Sequence, residues 1–246
     1  MSPTQIQNSV IEINEMCFRY PGDNHDVLDI AQFSVAKGDR VFIKGASGCG
    51  KSTLLSLLGG INTPTQGQVS VLDTSVGELR GAKRDHFRAN HIGFIFQMFN
   101  LIPYLSMIDN VTLPCRFSIP RRDKAIQRSH SLEAEAVRLL AHLGLDDKAL
   151  LARKVTELSM GQQQRVAAAR ALIGSPEVVI ADEPTSALDT DSRESFLKLL
   201  FDECGEVGAT LVFVSHDPAL QTMFDQTIAL ANINRATPMG AITNDA

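Results

Sequence analysis

The sequence predicts an α/β fold: a core of buried strands, preceded by half-exposed strands and interrupted by a helical insertion. Three observations predict it. The stretches "EVVIADEP" (177–184) and "ATLVFVSHD" (209–217) are short, β-branched and hardly alternate, as strands covered on both faces of a parallel sheet do. The earlier stretches "VIEINEMCFRY" (10–20) and "FSVAKGDRVFIKG" (33–45) alternate apolar with polar residues between turn signals, the pattern of half-buried strands. Between about residues 104 and 160 the period becomes helical.

In chain order, "RVFIKG" leads from a strand through a glycine loop into "KSTLLSLLGG", a short apolar helix stopped by Gly59 and Gly60. In the middle section, "SLEAEAVRLLAHLG" sets Leu132, Ala136, Leu139 and Leu143 on one helical face and ends at Gly144. Periodicity alone leaves a buried-helix reading open for the two short apolar runs near the C-terminus. With no low-complexity linker and no solenoid repeat, one domain over residues 1–246 is expected, the helical part (about 104–160) being inserted in the α/β core.

Bulk properties exclude several classes. A formal charge of −5 and a pI near 5.7 give no basic footprint for nucleic acid. Cys17, Cys49, Cys115 and Cys204 are scattered without C-x-x-C spacing, so neither a disulfide framework nor a zinc site is indicated, and a reducing compartment is expected. "MSPTQIQNSV" lacks the basic and apolar regions of a signal peptide. No apolar run approaches the roughly 18 residues of a membrane span, so any work at a membrane requires another chain to cross it.

The loop "GASGCGKST" (45–53) fits G-x-x-x-x-G-K-[ST] and stands between a strand and a helix start, where phosphate binding requires it. Backbone amides of Gly45, Ala46, Ser47, Gly48, Cys49 and Gly50 can turn toward phosphates, and the helix start adds partial positive charge. Lys51 is expected to reach the β- and γ-phosphates, Ser52 to ligate Mg²⁺ and Thr53 to touch the α-phosphate side. Cys49 reads as a small filler, although a thiol there has redox chemistry available. A phosphate loop by itself does not separate a kinase, a GTPase and a motor.

Asp182 ends a buried strand, placed to hold Mg²⁺ through water, and Glu183 can orient or deprotonate an attacking water. That pair favours hydrolysis. His216 ends another buried strand and Gln97 closes "HIGFIFQ"; both are expected at the γ-phosphate, with Gln97 on the metal or the lytic water. Downstream, "LSMGQQQRV" (158–166) holds no obvious catalytic group. Ser159 can nevertheless cap the helix through "QQQRVAAARAL", so that its hydroxyl, the amide of Gly161 and the helix dipole suit a phosphate. Asp189 fits the N-cap of the helix in "SRESFLKLL".

Phosphate loop, Gln97, "LSMGQ", "ADEP", "SALD" and His216 stand in the order seen in ATP-binding-cassette ATPases, which the chain resembles over almost its whole length. The resemblance implies a P-loop NTPase core of the RecA-like kind, with an N-terminal antiparallel β subdomain and an inserted α-helical subdomain. It implies a homodimer in which Ser159, Gly161 and Gln162 serve the ATP of the other subunit and Asp189 reaches the opposite phosphate loop. Most members have glycine where Met160 stands, so retuned turnover is expected. Tyr20 becomes the aromatic that stacks on adenine, worth roughly 1 to 3 kcal/mol by analogy with stacked bases, and an ordinary strand tyrosine otherwise.

"GGINTPTQGQVSV", "RANHIGFIFQMFNLIPYLSMIDNVTLP" and "SHDPAL" look like the ATPases of bacterial lipoprotein release and macrolide export, although "TSALD" replaces that branch's usual "TGNLD". This implies a peripheral protein on the cytoplasmic face of the bacterial inner membrane, ATP and Mg²⁺ as cofactors, a membrane permease docking near Gln97 to Leu105, and a periplasmic adaptor reached through it. Leu101, Ile102 and Leu105 either line that groove or pack the helical subdomain. The basic stretch "LRGAKRDHFRAN" reads as a solvated helical face. An importer ATPase and a low-turnover scaffold of the division-associated kind are the competing readings.

Overall fold

In the computed structural model, residues 9–151, 153–186 and 188–236 are described, so the alanine of "SALD" lies outside the described residues. The elements run in chain order as β1 (Ser9–Phe18), β2 (Leu28–Ala36), β3 (Arg40–Lys44), α1 (Lys51–Leu58), β4 (Gln66–Val71), β5 (Thr74–Ser75) and α2 (Ala82–His91). Next come β6 (Ile92–Ile95), α3 (Met107–Thr112), α4 (Ile119–Ser129), α5 (Leu132–His142), α6 (Lys148–Leu151) and α7 (Met160–Leu172). The chain continues through β7 (Val178–Asp182), α8 (Thr190–Val207), β8 (Thr210–Ser215), β9 (Gln226–Ala229) and α9 (Leu230–Ile233). No described helix is long and apolar enough to cross a membrane.

Two compact units result, one from the residues up to Arg84 with those from His216 on, the other from Asp85–Ser215. In the first, β2, β1, β4 and β5 form an antiparallel sheet in that order. The alternation read from the sequence sorts its faces: Ile11, Ile13 and Met16 are buried while Glu12 and Asn14 face outward. Strand β3 pairs in parallel with β9, and Arg40 at its start holds Asp225 through Nε at 2.9 Å and Nη2 at 2.6 Å. Val41, Phe42 and Ile43 are fully buried, as are Leu54, Leu57 and Leu58 on α1, so the loop between β3 and α1 springs from two buried anchors.

In the second unit, β6, β7 and β8 form a parallel ladder, and both C-terminal runs are strands rather than helices. Side chains buried in β7 and β8 include Val178–Ala181 and all of β8, as the lack of alternation requires. Helix α7 approaches β6 closely enough that a Cβ on Gly93 would lie 2.3 Å from the Ala171 carbonyl oxygen, which only glycine permits. Among the described residues, five α-helices begin on a side-chain cap. Ser106, Ser118, Ser131, Ser159 and Asp189 each accept the amide three residues on, opening α3, α4, α5, α7 and α8. The basic α2 buries no residue and is a solvated face.

Glu203, on α8, is buried and joined by two residues of α5: Arg138 Nη1 donates to its Oε1 at 2.8 Å, and His142 Nδ1 bonds the same oxygen. Glu135 binds the same guanidinium through Nε at 2.9 Å. Burial works to raise the Glu203 carboxyl, but the bonds from Arg138 and His142 outweigh it and leave the group below the ordinary 4.5. A carboxyl depressed in the folded chain contributes stability above its unfolded value and loses it as pH falls through the folded one. Glu203→Gln should therefore lower stability at neutral pH and flatten its decline below pH 4.5, measured by urea denaturation across pH; a decline as steep as the parent's would contradict this role.

Candidate functional site

The first unit carries the phosphate loop. Gly48 and Gly50 adopt φ of 77° and 100°, and Gly50 is the N-cap of α1 in a left-handed conformation. A side chain at Gly50 would be strained and would meet Leu28 Cδ2 at 2.9 Å. Unlike the five capped helices, α1 starts on a residue, Gly50, that has no side chain to cap it, and carries no acidic residue in its first turn. A helix start of this kind, with its dipole, suits an anion. Lys51, only 6% exposed, curls back so that Nζ donates to the carbonyls of Gly45 at 2.8 Å and Ala46 at 2.9 Å. Ser47 and Ser52 are exposed, and the Cys49 thiol lies across Gly45, whose added Cβ would meet it at 2.5 Å.

Tyr20 joins this loop by a bond that the sequence did not suggest: its hydroxyl lies 3.1 Å from the buried Thr53 Oγ1. Its ring stands edge-on to Phe18 with centroids 4.9 Å apart and remains 41% exposed. The Thr53 hydroxyl is thus engaged with Tyr20.

The second unit holds the carboxylates. Asp182 is the last residue of β7 and is half-buried. Glu183 follows with φ of 46°, while its amide donates to the Val214 carbonyl of β8 at 2.9 Å. A left-handed glutamate costs about 1–2 kcal/mol, and the bond to β8 enforces it. Gln97 lies in an exposed turn two residues beyond β6 rather than at the strand end itself. Phe99 and Asn100, next along the turn, are both left-handed at φ of 57° and 47°. Arg170 of α7 donates to both of their carbonyls, at 2.6 Å for Asn100. His216, the residue at which the chain returns to the first unit, is exposed, one residue after β8.

At the start of α7, Ser159 and Gln162 form a reciprocal cap: the Gln162 amide donates to Ser159 Oγ at 3.3 Å, and the Ser159 amide donates to Gln162 Oε1 at 2.9 Å. The Gln162 side chain is therefore committed to its own helix. Gly161 packs toward Leu188, whose Cδ2 would lie 3.4 Å from an added Cβ, and Met160 projects into solvent at 53% exposure. Asp189 caps α8 through the Ser192 amide at 2.9 Å, and this bond with that from the Ser192 hydroxyl holds its carboxyl below the usual value.

The ABC transporter family model matches residues 28–186, well over half of the chain, and takes in the phosphate loop, Gln97, "LSMGQ" and "ADEP". The chain belongs to the ABC transporter family.

It is an ATPase of that family, with the family's α/β P-loop architecture. The lipoprotein-releasing system ATP-binding protein LolD of Syntrophotalea carbinolica is 38% identical over 226 residues, 91% of this chain and 96% of that one. The macrolide export ATP-binding/permease protein MacB of Chromobacterium violaceum is 37% identical over 96% of this chain, which spans only 35% of that larger protein. The ATP-binding cassette MJ0796, solved as a dimer in a post-hydrolysis state with ADP and Pi, superposes with a TM-score of 0.77 at 30% identity, covering 93% of this chain and 98% of that one.

Within this ATPase the strained Glu183 gives a direct test of the local backbone. Glu183→Gly and Glu183→Ala both remove the carboxylate, but only glycine relieves the left-handed φ. The glycine variant should be up to about 1 kcal/mol the more stable in urea denaturation. An alanine variant of equal or greater stability would argue against the left-handed turn.

Proposed function

We propose that the chain is the ATP-hydrolysing motor subunit of a membrane complex of the lipoprotein-release or macrolide-export type. It works as a head-to-tail homodimer around two ATP and drives a separate membrane permease from the cytoplasmic face of the inner membrane, with a periplasmic adaptor reached through that permease. The observation that carries this reading is the capped start of α7, which stands exposed at Ser159 and Met160 instead of being covered by its own chain. An outward-turned helix end with an exposed Ser159 suits a nucleotide brought by a second subunit, and the dimeric state of the cassette at 30% identity supports a second subunit there.

In this reading Lys51 and the amides of the phosphate loop hold the β- and γ-phosphates, and Tyr20 offers its exposed ring to adenine. Glu183 orients the attacking water and accepts its proton, with Gln97 and His216 positioning groups around the γ-phosphate. Ser159 and the Gly161 amide contact the partner's nucleotide, and Asp189 faces the partner's phosphate loop. Ser52, Asp182 and Gln97 supply a hydroxyl, a carboxylate and an amide, an all-oxygen set suited to Mg²⁺, which keeps waters and phosphate oxygens among its ligands. Magnesium, when bound, neutralises phosphate charge as it develops.

The permease would dock where unit two exposes apolar side chains. Leu101, Ile102 and Leu105 are half-buried, while Met98 and Tyr104 of the same segment are 78% and 74% exposed. Asn110, fully buried, holds the turn by accepting the Ile102 amide at 2.8 Å and donating to the Ile102 carbonyl at 3.1 Å.

Lys51→Ala should weaken ATP binding at least tenfold, about 1.4 kcal/mol, whereas Glu183→Gln should bind ATP normally and elute as a dimer with ATP and Mg²⁺. Near-parental affinity in the first variant or a monomer in the second would count against the reading.

Ser159→Arg should block hydrolysis without weakening the first ATP binding event. Paired with a Lys51→Ala chain, it should leave one complete composite site and measurable ATPase activity; loss at both sites alike would refute sharing across the dimer.

A further inference from the structure

Two buried guanidiniums of the second unit take no part in the chemistry above. Among the described residues, backbone carbonyls hold both. Arg121, 2% exposed, stands in the first turn of α4. Its Nε donates to the Ile173 carbonyl at 2.8 Å, and its Nη2 donates to the Ala171 carbonyl at 2.7 Å, both at the C-terminal end of α7. A longer bond, Nη1 to the Ile92 carbonyl at 3.4 Å, reaches the start of β6. Arg170, 9% exposed, extends from α7 to the carbonyls of Phe99 and Asn100. Burial lowers the Arg121 guanidinium to about 10, so it stays charged at neutral pH.

A buried cation is tolerated only where its hydrogen bonds are met. Here the countercharge is partial and fixed in place: the negative end of the α7 dipole for Arg121, and two left-handed peptide carbonyls for Arg170. Letting either segment slide against α7 would strip a desolvated charge of its acceptors. The three pieces therefore move together.

The pieces are informative in their positions. The turn gripped by Arg170 carries Gln97 and the exposed Met98; the start of α4, gripped through Arg121, follows the exposed Phe117 (67%) and contains Ile119 (65%). At the far end of the 13-residue α7, about 20 Å away at 1.5 Å per residue, stand Ser159 and Gly161.

We infer that Arg121 and Arg170 are positioning residues that join the exposed apolar surface at Met98, Tyr104, Phe117 and Ile119 to the start of α7, so that displacement by a docked partner is carried along a rigid helix to Ser159 and Gly161. This rests on the shared-site reading above. It assigns a mechanical role to two side chains buried in the second unit.

Hydrogen exchange read by mass spectrometry on the whole chain, with steady-state ATPase kinetics, tests it. In Arg170→Met, exchange should rise at least about fivefold both at residues 97–102 and at residues 158–164, while residues 45–53 keep the parental rate. The kcat should fall about tenfold or more with KM within about twofold, and Arg170→Lys, which keeps the charge but not the fork, should recover only part of the loss. Arg121→Lys provides the same comparison should the methionine variant fail to fold. Loosening confined to residues 97–102, with residues 158–164 and kcat at parental values, overturns the inference. A parent chain that neither dimerises with ATP nor hydrolyses it, while both segments still loosen together in the variant, refutes the proposed function and leaves the mechanical link standing.

Discussion

A helix must find partners for its first amides, and how each helix of this chain does so organises the molecule. Five helices answer with a serine or aspartate of their own. Helix α1 does not: it begins on a left-handed glycine, with neither a capping side chain nor an acid in its first turn. The buried strand before it and the buried leucines within it hold that start in place whether or not the amides are satisfied. Anion affinity is thus built from what the loop withholds. Lys51 keeps its charged group in the same loop, bonded to two of the loop's carbonyls.

Strain is placed with similar economy. Left-handed Glu183, Phe99 and Asn100 all lie just past the ends of parallel strands, the edge at which open α/β sheets bind ligands. At about 1–3 kcal/mol apiece, such residues are a large fraction of the 5–15 kcal/mol by which domains are stable. Each is held by something outside its own turn: Glu183 by a carbonyl of β8, Phe99 and Asn100 by a guanidinium of α7. The strained residues are therefore sensitive to the elements that hold them.

Much of this was legible in the sequence. Strand alternation in "VIEINEM", its loss in "VVIAD", and the serines three residues ahead of helical amides are local patterns with local causes. The phosphate loop and Ser159 are readable for the same reason, since neighbours in sequence make both. What escaped reading depends on partners far apart in the chain. Nothing near Tyr20 announces Thr53, nothing in "SIPRRDK" says that Arg121 closes a helix fifty residues on, and the apolar letters of "MFNLIPYL" do not reveal that Met98 and Tyr104, rather than Leu101, Ile102 and Leu105, face outward. The commitment of Gln162 to its own cap follows the S-x-x-Q spacing and could have been found there.

The bond between Tyr20 and Thr53 bears on selectivity. In the proposed reading the ring would offer an incoming base a flat π-face, while its hydroxyl stays with Thr53 Oγ1, 3.1 Å away. Stacking of that kind is tolerant, because every nucleobase has such a face. A tyrosine so tethered would, in that reading, register that a planar ring has arrived without distinguishing one purine from another.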